Sequence, residues 1–408
     1  MPVSPTSWKR QPIHTVYGGA HLFTAATCTK LGDLARKSFA DHAATPKILR
    51  EVLNLPELLT DAIYERVQEK LAREPIEDFR IDFEDGFGIR SDADEDAAAD
   101  HAGRETAAAM TAGTLPAFFG IRIKPLNEAL GTRARRTLDI YLTALLLGSG
   151  GYLPNNFVVT LPKVTSPSEV EDLVGDLHPY GPIGIEIMVE TPQALPILPQ
   201  LVEAARGACT AAHFGAYDYT ASLGLTSVAQ NLLHPACDYA RMLMLTTLAP
   251  TGVWLSDGAT NTLPILPHRG KDLTSDQLAE NSRAIHAAWK LHYNNTSHAL
   301  NNGFYQGWDL HPAQIPARYA AVHAFFLEGM EQASSRLRNF VEMAAQATHV
   351  RGVFDDAATG QGLLNFFLRA INCGAIREAE IPELTGLSLE ELRTGSFTAI
   401  SQSRAKAE

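Results

Sequence analysis

Eight short apolar runs recur along this chain. Each closes on polar residues, glycine or proline, and each is followed by a stretch with helical spacing of its apolar side chains. Such alternation marks βα units, whose strands pair in parallel. The expected strands are His14–Tyr17, Phe79–Phe83, Phe118–Ile123, Phe157–Leu161, Ile183–Val189, Thr210–Phe214, Gly252–Leu255 and Phe304–Trp308. The expected helices run over Leu31–His42, Asp92–Thr111, Ala129–Leu147, Ser168–Leu177, Gln193–Arg206, Asn231–Leu248, Ser275–His292 and Pro312–Thr348. Eight parallel strands close a barrel, so the pattern predicts an α/β fold of the TIM (β/α)8 type.

A barrel of about 250 residues does not use up a chain of 408. The sequence accordingly predicts a barrel over 1–348, with a helical insert near 47–73, and a small C-terminal helical extension or lid over 349–408. The 34 basic and 46 acidic residues leave a net charge of −12, a field that repels phosphate backbones, so nucleic acid is not an expected partner. No apolar run reaches 18 residues, so no membrane span is expected. The N-terminal residues lack the apolar core of a secretory signal, and the expected location is the cytoplasm. Cys28, Cys209, Cys237 and Cys373 are scattered without a CxxC pair, which fits small buried side chains better than disulfides or a zinc site.

In a barrel the chemistry gathers where the strands end and the βα loops begin. Period-2 alternation in FRIDFEDGFG sets Arg80, Asp82 and Glu84 on one face, two carboxylates that repel unless a cation lies between them. The next strand, GIRIKPL, brings Arg122 and Lys124, and FVVTLPKV ends in Lys163; these cations suit an anionic substrate. IGIEIMVETP aligns Glu186, Met188 and Glu190, and AAHFGAYDYTASLG adds His213 and Asp218. Two carboxylates from adjacent strand ends, with room for water and ligand, suit a hard divalent ion such as magnesium, which makes Glu190 and Asp218 the expected metal ligands. His311, just before Pro312, has three readings: catalysis, lining the substrate pocket, or capping the helix that follows. His21 and His213 stay open as acid/base groups.

Six of these pieces occur in one order: DFEDG at Asp82–Gly86, the arginine strand at Gly120–Pro125, LPKV at Leu161–Val164, EIMVETPQAL at Glu186–Leu195, HFGAYDYTASLG at His213–Gly224 and LHPAQIP at Leu310–Pro316. Together they resemble the citrate lyase beta subunit and malyl-CoA lyase (HpcH/HpaI aldolase-like) family of the phosphoenolpyruvate/pyruvate-binding barrels. The resemblance implies that Glu190 and Asp218 bind Mg2+, with Mn2+ as the substitute. It implies that Arg122 holds the oxygen of a developing enolate, while Asp82 and Glu84 position Arg122 and water. Lys124, Lys163 and His311 are the expected substrate-binding residues. Lys124 stands where that family usually has asparagine, and additions around 47–73, 263–274 and after Thr348 lengthen the chain. Relatives complete a neighbouring subunit's site with an acidic lid residue, a part that Asp355 or Asp356 would take.

The implied activity is Mg2+-dependent carbon-carbon cleavage, or its reverse, on a 3-hydroxy acid or its coenzyme A thioester. The alternatives are a class II pyruvate aldolase without coenzyme A, a malate-synthase-like condensing enzyme and, last, a non-enzymatic barrel scaffold. The family also implies a homo-oligomer, a trimer or hexamer.

Overall fold

The computed structural model of the chain describes residues 10–347 and 357–407. Asp355, Asp356 and the domain boundary expected at Thr348 lie outside the described residues. Eight parallel strands, β1 (His14–Gly19), β2 (Asp78–Asp82), β3 (Phe118–Arg122), β4 (Phe157–Leu161), β5 (Gly184–Val189), β6 (Cys209–Phe214), β7 (Trp254–Ala259) and β8 (Gln306–Asp309), close into a barrel in sequence order. The described residues divide into two compact units: residues 12–44 with 71–317 hold the barrel, and 45–70 with 318–347, 357–407 and residues 10 and 11 form the other. Among the described residues no helix is long and apolar enough to cross a membrane.

Alternation along the strands sorts the side chains. Phe79, Ile81, Phe119, Ile121, Val159, Ile185 and Ile187 are fully buried, packed on the outer face where helices cover the sheet. The helices Asp92–Ala112 and Gly131–Ser149 press so closely that a Cβ at Gly103 would sit 2.5 Å from the Tyr141 carbonyl oxygen. Ser91 caps the first of them by accepting from the Asp94 amide.

The lumen is filled by polar residues rather than the branched aliphatics common in such barrels. Arg80 pairs with Asp78, and its Nε lies 3.6 Å from Glu186 Oε1. That oxygen accepts from the Thr160 hydroxyl at 2.7 Å and the Tyr17 hydroxyl at 3.2 Å. Thr15 donates to Asp78 at 2.9 Å and accepts from Gln306 at 2.8 Å.

All eight expected strands form, with shifted ends. β7 runs through Ser256, Asp257 and Gly258, where the expected strand stopped at Leu255. Those polar residues are buried because Arg241, on the helix Pro235–Leu248, donates to Asp257 at 2.9 Å. β8 likewise ends on Asp309, which is fully buried between His14 at 3.1 Å and His292 at 2.8 Å. The helix expected over Gln193–Arg206 forms only over Leu198–Ala204, and the one expected to end at His292 continues to Asn301.

The second unit is helical. Its helices include Pro46–Leu53 in the insert, and Ala357–Asn372 and Phe397–Ala407 near the C-terminus. Leu337, Leu364, Phe367 and Leu392 form its apolar core. Arg66–Glu380 at 3.1 Å and Arg377–Glu69 at 2.7 Å tie the insert to the C-terminal segment.

Candidate active site at the barrel mouth

Asp82 and Arg122 are register partners at the ends of β2 and β3. The guanidinium donates through Nε to Asp82 Oδ1 at 2.8 Å and through Nη2 to Oδ2 at 2.5 Å, a bidentate pair. The same two oxygens accept from the amides of Glu84 (2.9 Å) and Gly86 (2.7 Å). Asp82 thus folds its own turn and aims Arg122 at once. Gly86 is required here, because a Cβ would lie 2.6 Å from Asp82 Oδ2. Nη1 of Arg122 sits 3.2 Å from Glu84 Oε2 and 3.6 Å from the sulfur of Met188.

Lys163 follows β4 in the left-handed region, with φ of 52°, a strained conformation for a side chain other than glycine. That geometry points its amide at Glu190 Oε1, 2.7 Å away. Its ammonium reaches Glu84, Asp85 at 3.3 Å and Asp218 at 3.5 Å. Burial works against the Lys163 charge, but the Glu190 and Glu84 carboxylates outweigh it and hold the ammonium above the ordinary lysine range.

Glu190, just beyond β5, is 1% exposed. Burial pushes its carboxyl up to about 8; Lys163 opposes the shift and the charge of Asp218 adds to it. Gly215 gives it room, since a Cβ there would come within 2.4 Å of Glu190 Oε2. Asp218 enters from the first turn of the short helix Ala216–Ser222 and is partly exposed.

Asp82, Glu84, Asp85, Glu190 and Asp218 therefore face two cations, Arg122 and Lys163. Ionised, the seven groups sum to −3. A buried carboxylate whose proton affinity is raised by a second carboxylate is the donor set a divalent cation relieves. Among the described residues no cluster of three or more His, Cys, Asp or Glu side chains is arranged to hold a metal. Two of these carboxylates, Glu190 and Asp218, are of the number and kind that a magnesium-like ion takes, its shell being completed by water and substrate.

Two expected substrate-binding residues make structural contacts of their own. Lys124 turns from the mouth to donate to the Phe83 carbonyl and to Glu95 on the helix Asp92–Ala112, each at 2.7 Å. It alternates with Ile123 as expected, but the strand has ended at Arg122 and the chain has already begun to turn. His311 serves as a cap: its Nδ1 accepts from the Ala313 amide at 3.1 Å, and burial lowers its pKa. His21 is exposed, with its ring edge-on to Phe87.

Two residues at the mouth went unassigned in the sequence. Tyr17 and Trp308, half-buried at the ends of β1 and β8, stack with ring centroids 4.4 Å apart. Arg122 lies 5.0 Å from the Tyr17 ring centre and 5.4 Å from that of Trp308. Asp85 contributes a further carboxylate. Large aromatics at the ends of adjoining strands were the available signal.

A family described as a domain of unknown function, DUF6986, matches residues 5–400. The chain belongs to that family. No curated protein matches it. Among solved structures it is similar in fold to a citrate lyase from Burkholderia xenovorans LB400, with 17% identity over 91% of this chain and 95% of that one, at a TM-score of 0.55. It is also similar to the protein CitE from Mycobacterium tuberculosis, solved in complex with magnesium, acetoacetate and coenzyme A, with 16% identity over 89% of this chain and 99% of that one, at a TM-score of 0.50. The barrel of this DUF6986 member is thus the one the sequence resemblance implied.

Proposed function

We propose that this DUF6986 chain is a magnesium-dependent lyase that breaks or forms a carbon-carbon bond beside a carbonyl group, through an enolate. The observation that carries the reading is the convergence of Arg122, the Glu190 and Asp218 carboxylates and Lys163 at one barrel mouth. Glu190 and Asp218 would hold the metal, which when bound supplies a Lewis acid for a carbonyl oxygen. Arg122, fixed by Asp82, presents a permanent positive charge where negative charge develops on the substrate, and its immobility means little reorganisation is needed. Glu84 bridges Arg122 and Lys163 and holds the two cations in register. The relative solved with magnesium, acetoacetate and coenzyme A supports both the metal and the substrate type.

Whether the carbonyl belongs to a 2-keto acid or to a coenzyme A thioester divides an aldolase from a citrate-lyase-like or malate-synthase-like reaction. Proton NMR in D2O with Mg2+ present, run on pyruvate, oxaloacetate and a panel of acyl-CoA thioesters, separates them. The expected result is metal-dependent loss of the carbon-bound proton beside the carbonyl of one compound class, strongly reduced in Arg122→Ala. No exchange with any of them would overturn the lyase reading.

A further inference from the structure

We infer that the acid bound at this mouth carries one carboxylate and a neutral, flat or apolar remainder, so that di- and tricarboxylates are poor ligands; this rests on the lyase reading above. The first observation is the disposition of the cations. Arg122 gives Nε and Nη2 to Asp82 and has only its Nη1 edge, beside Glu84, for a single ligand carboxylate, whereas Lys163 is committed to Glu84, Asp85 and Asp218, and Lys124 to Glu95. Arg90, in the loop after β2, lies over the Phe87 ring and donates to the Phe87 carbonyl. Five carboxylates against two cations remain in excess by one even beside a divalent ion, so a second substrate carboxylate meets repulsion without a cation held ready for it.

The second observation is the aromatic wall beside Arg122. Tyr17 and Trp308 stack on each other and flank the Arg122 guanidinium. The Tyr17 hydroxyl is turned down into the lumen, where it donates to Glu186, so a ring face rather than a polar tip borders the mouth. Met188 lies against the guanidinium as well.

His213 stands edge-on to both rings, 5.9 Å from Tyr17 and 5.6 Å from Trp308. It is fully buried, and neither ring nitrogen has a hydrogen-bond partner among the described residues. It acts as a positioning residue that wedges the aromatic pair against Arg122. A ligand whose carboxylate lies at the guanidinium would have its remainder between a carboxylate rim that rejects anions and an aromatic wall that favours planar or apolar groups.

Isothermal titration calorimetry on the full chain with Mg2+ tests this with five 2-keto acids: pyruvate, 2-oxobutyrate and phenylpyruvate against oxaloacetate and 2-oxoglutarate. All share the carboxylate and carbonyl and differ only in the tail. The neutral-tailed acids, phenylpyruvate foremost, should bind at least about tenfold more tightly than the anionic-tailed ones. Trp308→Ala should weaken phenylpyruvate about tenfold more than it weakens oxaloacetate, whereas Trp308→Phe should keep the preference. The wild-type series carries the test if the alanine variant does not fold. Equal affinities, or a preference for the dicarboxylates, would overturn the inference and leave the lyase reading intact. Binding of Mg2+ without any of the acids would overturn the inference and count against a keto-acid site altogether.

Discussion

Two charged clusters occupy the same barrel a few residues apart along its strands, and they are built on opposite principles. In the lumen, Asp78 and one oxygen of Glu186 pair with Arg80 and accept from the hydroxyls of Thr15, Thr160 and Tyr17, while the other Glu186 oxygen has no hydrogen-bond partner among the described residues. At the mouth, Glu84, Asp85, Glu190 and Asp218 crowd one lysine, and Glu190 is left with a strongly raised proton affinity. A network whose oxygens are mostly hydrogen-bonded holds structure together. One left short of positive charge stores a demand that a ligand can meet.

If that contrast is right, the two clusters respond differently to matched substitutions. The largest effect is expected at Arg122: Arg122→Ala should lower metal-dependent proton exchange by about 10² to 10³-fold, as for loss of a preorganised charge stabiliser, read by NMR in D2O. Breaking the lumen network comes next. Arg80→Met should destabilise the fold by about 3–5 kcal/mol, because it leaves buried carboxylates unpaired, while a Mg2+-induced rise in melting temperature survives. Chemical denaturation with and without Mg2+ checks both halves, and loss of the metal response there would erase the distinction.

A smaller effect is carried by pH through His213. Burial lowers its pKa to about 4; Glu186 opposes the shift, and Arg80 and Arg122 reinforce it. The unfolded chain binds this proton near the ordinary value of 6.5 and the folded chain does not, so stability is full above that value and falls as pH drops towards 4. The loss amounts to roughly 3 kcal/mol at about 1.4 kcal/mol per unit. In His213→Asn the difference from wild type should shrink across that window, and parallel pH-stability curves would show that the imidazole is not held neutral. Smallest of all, His311→Ala removes a cap and should cost about 1 kcal/mol with Mg2+ binding unchanged, which thermal unfolding would register.

Much of the barrel was legible because strand periodicity and helix periodicity differ, and the eight alternations survive local noise. The ends of β7 and β8 were not. Asp257 and Asp309 are polar residues inside strands, tolerated only because Arg241, His14 and His292 arrive from distant parts of the chain. At the mouth, alternation correctly grouped Asp82 with Glu84, but it could not say that Lys124 would leave the strand and turn to Glu95. Tyr17 and Trp308 are neighbours only because the barrel closes β8 onto β1. Closure is a property of the whole fold, and no window of sequence contains it.

The central claim is that Glu190 and Asp218 jointly hold a divalent ion facing Arg122. Calorimetric titration of Mg2+ into wild type, Glu190→Gln and Asp218→Asn tests it most directly. The account predicts one site per chain in the wild type, loss of binding in Glu190→Gln and marked weakening in Asp218→Asn, with all three proteins folded. Unchanged Mg2+ affinity in both variants would contradict it.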